Sequence, residues 1–130
     1  MLRGNNKGAI FVYICSKFRE HMKLLVCISK TPETTAKISF SEDNKSFNGE
    51  GVQFIMNPYD EWYALVRALE LKESAGGSVT AINVGPASND IIIRKALAIG
   101  ADDAIRVDTD AKDAFYTASQ IAGQARDGGY

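Results

Sequence analysis

Histidine and cysteine are nearly missing from this chain of 130 residues, which has one of the first and two of the second. Cys15 and Cys27 are too few and too scattered for a disulfide framework or a zinc site, and the lone His21 leaves no metal cluster to build. A reducing compartment follows, either cytoplasm or an organelle matrix. Charge of one sign is also lacking, with a formal net charge of −1. That balance gives no electrostatic case for nucleic acid or for an anionic membrane surface. Long apolar runs are absent as well. Ala9 to Cys15 is apolar for only seven residues, where a membrane span needs roughly 20. Ser16 to His21 follow it where a secretory signal would place small residues.

What remains is an ordinary globular composition, 45% hydrophobic and 24% charged, in a length that suits one domain with a real core. Residues 1 to 21 read as a leader outside the native fold or as an extra strand. Met22 opens a new pattern.

Met56 to Lys72 organises that pattern. Asn57 is expected to cap a helix and Pro58 to occupy its first position, where no backbone donor is needed. Asp60 falls three residues after the cap, and Glu61 adds charge at the positive end. Trp62, Leu65, Val66 and Leu69 form an apolar stripe, and Gly76-Gly77 stop the helix. Its N-terminus is the place an α/β fold would hold an anion.

Lys23 to Ser29 is a continuous apolar run, as in a parallel strand buried on both faces, and Thr31-Pro32 ends it. Lys37 to Phe40 and Val52 to Ile55 read as a β-hairpin around Asp43-Asn44-Lys45 and Asn48-Gly49. Val79 to Val84 is a second strand, ended by Gly85-Pro86. Ser88 or Asn89 opens a helix striped by Ile93, Ala96 and Leu97 and stopped by Gly100. Ala104 to Val107 is a third strand. Thr109 or Asp110 starts a last helix with Phe115, Ala118, Ala122 and Ala125 on one face. Strand and helix alternate three times, which implies a parallel sheet with crossover helices.

In such sheets ligands bind beyond the carboxyl ends of the strands. Three loops are expected there: Ile28 to Thr31, Asn57 to Tyr59, and Val84 to Ser88. Backbone donors, hydroxyls and Lys30 suit a phosphate or a ribose. The chain has neither Gly-x-Gly-x-x-Gly after the first strand nor Gly-x-x-x-x-Gly-Lys-Ser/Thr, which sets aside the ordinary dinucleotide fold and the P-loop. Duller readings stand beside each residue. Lys30 is a solvated loop charge, Cys27 a small buried hydrophobe and Trp62 a core residue. Asp102 and Asp103 point apart, and His21 has no nucleophile to serve. The residues alone describe a nucleotide-binding α/β domain without visible catalysis.

Lys23-Leu-Leu-Val-Cys-Ile-Ser-Lys-Thr-Pro32, Asn57-Pro-Tyr-Asp-Glu61 and Ile93-Arg-Lys-Ala-Leu-Ala-Ile-Gly-Ala-Asp102 together resemble the beta subunit of electron transfer flavoprotein over residues 22 to 130. The resemblance implies a Rossmann-like, adenine nucleotide alpha hydrolase-like three-layer fold with strand order 3-2-1-4 and a β-hairpin insertion. It implies pairing with an alpha subunit that holds most of the FAD site, and electron transfer from acyl-CoA or other dehydrogenases to a downstream acceptor. It also implies an AMP, or a second FAD, within this subunit. Cys27 would line that adenine pocket through its backbone, Asn57, Pro58, Tyr59 and Asp60 would form a second wall, and Val84 a third. No bond-making chemistry and no nucleic acid are implied, and the location would be cytoplasmic, or the mitochondrial matrix in a eukaryote. The chain departs from the family at Ser29-Lys30, and it stops where the family's fourth strand and acidic phosphate loop would follow. It is therefore expected to form an incomplete domain, with the Lys23 to Ser29 strand exposed at an edge unless Ala9 to Cys15 covers it. A stand-alone adenine-nucleotide sensor of the stress-protein type is the alternative. An adenylating enzyme would want a Ser-Gly-Gly-x-Asp-Ser-like loop where Ser29 to Pro32 stand.

Overall fold

The computed structural model describes residues 22–110 and 113–130; the expected leader and the Ala9 to Cys15 strand lie outside these. A three-stranded parallel sheet is built from β1 (Lys23–Cys27), β4 (Ser78–Val84) and β5 (Asp103–Val107) in the order β1-β4-β5. Leu24 pairs with Val79 in one ladder, and Thr80 pairs with Asp103 in the other. A separate antiparallel pair joins β2 (Lys30–Pro32) to β3 (Phe54–Met56). The helices are α1 (Asp60–Ala75), α2 (Asp90–Ile99, preceded by a single 3₁₀ turn at Ala87–Asn89) and α3 (Ala114–Gly128).

The expected α/β architecture, with alternating strands and helices and an antiparallel insertion, is the one observed. Burial is not where the first strand's apolar run placed it. β4 is the strand buried on both faces, with Val79, Ala81 and Ile82 fully enclosed, and among the described residues it is the strand with a neighbour on each side. β1 pairs only with β4 among the described residues, so Cys27 is exposed rather than a buried small hydrophobe. Side chains alternate across a strand. Val79 and Ala81 join Val26, Ile28, Leu65, Ala68, Ile92 and Ala96 in the core beneath α1 and α2. Thr80 faces the opposite layer, where its hydroxyl accepts from the Tyr130 hydroxyl at 2.8 Å just beyond α3.

Several boundaries and faces differ from expectation. The hairpin is paired at Lys30–Pro32, not Lys37 to Phe40, which contributes only an isolated bridge from Phe40 to Phe47. A three-residue edge strand can end on Pro32, where the missing donor costs little. α1 begins at Asp60, two residues later than Pro58. Its buried residues are Leu65 and Ala68, while Trp62 is 36% exposed. In α2 the enclosed residues are Ile92 and Ala96, and Leu97 faces outward. Gly100 does stop that helix, its amide donating to Ala96 and Leu97 carbonyls. α3 is capped by Asp113, which accepts from the Tyr116 amide at 2.7 Å, and Phe115 is 84% exposed.

Gly77 joins α1 to β4 at φ +128, and a Cβ there would stand 2.1 Å from the Met22 carbonyl oxygen. That carbonyl accepts the Ser78 amide at 2.9 Å, so the chain enters β4 in contact with the start of β1.

Candidate functional site

The three expected loops meet at the carboxyl ends of β1 and β4. The Ile28 amide donates to the Ile82 carbonyl at 2.9 Å, which carries the β1–β4 ladder one residue past its named end. The Ile28 carbonyl then accepts from Asn83 Nδ2 at 2.8 Å, and Asn83 Oδ1 accepts from Asn89 Nδ2 at 2.9 Å. The Asn57 amide donates to the Ser29 carbonyl at 3.4 Å, which draws the entrance of α1 against the end of β1. Lys30 Nζ reaches Ser88 Oγ at 3.1 Å and lies 4.8 Å from the centroid of the Phe54 ring. It ties the hairpin to the turn before α2.

Asn57 does not cap α1 as the sequence suggested. Its Oδ1 accepts from the Tyr59 amide at 3.1 Å, two residues on, so it shapes the turn that Pro58 rigidifies, and the helix itself starts without a side-chain cap. Nor is the N-terminus of α1 open to an anion. Glu61 in the first turn accepts from the Ser29 amide at 2.5 Å and from the Ser29 hydroxyl at 2.6 Å, and Asp60 stands beside it. Two carboxylates already answer the helix dipole there. This wall presents acceptors rather than an anion site.

Of the six expected wall residues, Cys27 and Asp60 line a groove of about 440 Å³ between β1 and α1, together with Glu61 and Arg67. Pro58 lines a different cavity of about 560 Å³ with Phe54, Met56, Trp62 and Ile92. Asn57, Tyr59 and Val84 line neither. Tyr59 is exposed and Val84 is buried at the end of β4. Partial desolvation, and then the Glu61 charge, push the Cys27 thiol above its ordinary pKa, so it is no ready nucleophile. Asp102 and Asp103 point apart as expected: Asp102 accepts from Lys72 and from the Val79 amide, while Asp103 accepts from the Ala104 amide. Among the described residues no three metal-ligating side chains gather, and no helix is long and apolar enough to cross a membrane.

Sequence reasoning passed over Arg106. Its Nε pairs with Asp90 at 2.8 Å and its Nη1 with Asp108 at 2.8 Å, and the same Nη1 donates to the Gly85 carbonyl at 3.3 Å. Hydrogen bonding to Asp108 raises its pKa further. An arginine set within an apolar strand was the available signal. It fixes the β4–α2 loop from the β5 side.

Parallel strands, crossover helices and polar loops gathered at the strands' carboxyl ends define an α/β domain, the class in which ligands bind beyond those ends. Residues 46–130 match the family model of the electron transfer flavoprotein domain, and the chain belongs to that family. It is 42% identical over 86 residues to Protein FixA of Azotobacter vinelandii, covering 66% of this chain and 30% of that protein. It is 38% identical over 104 residues to electron transfer flavoprotein subunit beta of Bacillus subtilis, covering 77% and 39%. The gamma electron transfer subunit of acryloyl-CoA reductase from Anaerotignum propionicum is 34% identical over 86 residues, covering 66% and 32%. The chain spans about a third of the length of the curated relatives it matches.

Proposed function

We propose that residues 22 to 130 belong to the beta-type half of an electron transfer flavoprotein and supply part of an adenine-nucleotide pocket, for AMP or a second FAD. The observation that carries this reading is the meeting of the Ile28–Lys30, Asn57–Glu61 and Val84–Ser88 segments at the ends of β1 and β4, in a chain of this family. The residues fit such a ligand in kind. Cys27 and Val84 flank the strand ends, Tyr59 offers an exposed ring, and the Asn57 Nδ2 has no protein partner among the described residues. Asp60 can accept from ribose hydroxyls, and Lys30 with Ser88 supplies a cation and a hydroxyl for a phosphate.

On this reading the flavin, held mostly by an alpha-type partner, supplies the redox chemistry. This chain's residues bind and orient the nucleotide and present a surface to the partner; they make and break no substrate bonds. Acyl-CoA or other dehydrogenases are the donors, and the complex works in the cytoplasm, or in the mitochondrial matrix of a eukaryote. The test is coexpression of the full gene product with an alpha-type subunit. A yellow heterodimer that releases AMP or a second flavin on denaturation is expected. A colourless monomer that binds AMP tightly would replace this reading with the stand-alone sensor.

A further inference from the structure

Asn83 and Asn89 are 3% and 6% exposed, and they form a chain of side-chain amides that ends on the Ile28 carbonyl. The direction of this chain is forced. A carbonyl only accepts, so Asn83 must turn its Nδ2 towards Ile28 and its Oδ1 towards Asn89. Asn89 must then donate, and its own Oδ1 is left buried with no protein partner. That leftover acceptor is costly, because a buried polar group without a partner loses its hydration. Two apolar side chains of similar shape would fill the space without that cost. Stability alone does not account for the pair.

Its position suggests a role. Ile28 follows Cys27, and Asn83 precedes Val84, so the Asn83–Ile28 bond joins two of the strand-end walls assigned to the nucleotide. Asn89 adds the third contact. Its Nδ2 would stand 2.2 Å from a Cβ at position 85, so the amide fills the place that glycine leaves open at the turn after Val84. Arg106 holds the same turn from the other side through the Gly85 carbonyl.

We propose that Asn83 and Asn89 act as one positioning relay, setting the separation of the Cys27–Ile28 and Val84–Gly85 walls for the adenine nucleotide. The inference rests on the nucleotide reading above. Neither residue is assigned contact with the ligand; both act through the backbone they hold.

The test is a double-mutant cycle in the full gene product coexpressed with its alpha-type partner, with AMP as the probe, using Asn83→Ala, Asn89→Ala and both together. Calorimetric titration gives Kd, and thermal unfolding is followed in parallel. Each single change is expected to weaken AMP about tenfold, the scale of one buried hydrogen bond. The double change should weaken it no further than the worse single, because either break opens the relay. Variants with lower Tm and unchanged Kd would overturn the relay and leave the nucleotide reading standing. A folded wild-type full gene product, coexpressed with its alpha-type partner, that binds neither AMP nor a second FAD would overturn that reading and the relay with it. Nitrogen-15 spectra of the wild-type chain decide the matter if the variants do not fold. AMP should shift the side-chain amide pairs of Asn83 and Asn89, and unmoved pairs at saturating AMP would refute the relay.

Discussion

The Glu61 carboxylate holds Ser29 twice, taking the backbone amide on one oxygen and the side-chain hydroxyl on the other, across 32 residues of chain. This bidentate contact fastens the end of β1 to the first turn of α1, and so closes one corner of the proposed site.

Removing that contact gives the first expected outcome. Hydrogen bonds to a charged group contribute about 1.5–3 kcal/mol, and less where water competes. Glu61→Ala should therefore lower unfolding free energy by roughly 1–2 kcal/mol. Ser29→Ala, which keeps the amide bond, should cost about half as much. Urea unfolding measures both. Equal losses would show that the hydroxyl, not the amide, carries the contact.

Asp102 contributes to the acid side of the stability curve. Its hydrogen bond with Lys72, followed by that from the Val79 amide, holds its pKa below the ordinary carboxylate value. A depressed folded pKa adds stability that is fully present above the unfolded value, about 3.9, and is lost as pH falls through the folded one. Asp102→Asn should therefore flatten the fall in stability below about pH 4 while leaving its shape near neutrality. An unchanged acid limb in pH-dependent unfolding would show that Asp102 is not coupled to folding.

Asn57 separates a turn role from a ligand role. Its Oδ1 serves the Tyr59 amide, so Asn57→Ala should cost about 1 kcal/mol, by analogy with lost caps. Asn57→Asp keeps the acceptor and should restore most of that stability. Only the amide Nδ2 is lost in the aspartate variant. Weaker AMP binding there, at restored Tm, is the expected mark of a ligand contact; unchanged binding would make Asn57 a turn residue alone.

The order of strands and helices was legible because short, β-branched, mostly apolar runs such as Val79 to Val84, bounded by glycine, have few alternatives to a buried parallel strand. Glycine stops were legible too, since Gly76 and Gly100 leave the helical region where a side chain would be strained. Helix faces were harder. Of the stripe Trp62, Leu65, Val66 and Leu69, Leu65 is fully enclosed and Leu69 packs partly buried against the core, but Trp62 is exposed and the buried Ala68 lay outside the stripe. Spacing defines a stripe but not what lies opposite it. The loops read from the sequence do meet at the strand ends, but the six wall residues do not line one cavity, and the residues that support them did not announce themselves. Glu61, Asn83, Asn89 and Arg106 act over separations of 6 to 55 residues, visible only once the strands are placed.

Gly77 offers a backbone test. At φ +128 a side chain is strained, and its Cβ would also collide with the Met22 carbonyl. Neither the carbonyl nor the Ser78 amide it accepts can move without opening the start of the β1–β4 ladder. Gly77→Ala should cost on the order of 2 kcal/mol or more. A variant within half of that in urea unfolding would mean that the junction relaxes freely.

The last expectation concerns the outer edge of β1. That strand pairs only with β4 among the described residues, and the groove beside it is walled by Leu24, Leu25 and Val26 on one side and Ala64, Ala68 and Leu71 on the other. A strand edge with free backbone groups next to an apolar groove invites another strand. Residues 22 to 130 should therefore associate with rising concentration in sedimentation velocity. Leu25→Lys places a charge on the edge strand and should shift the distribution back towards monomer. Residues 1 to 130, run beside them, test whether the apolar run Ala9 to Cys15 covers the edge. A monomeric long chain beside an associating short one would support that cover. Two equally soluble monomers that unfold cooperatively would remove the exposed-edge argument altogether.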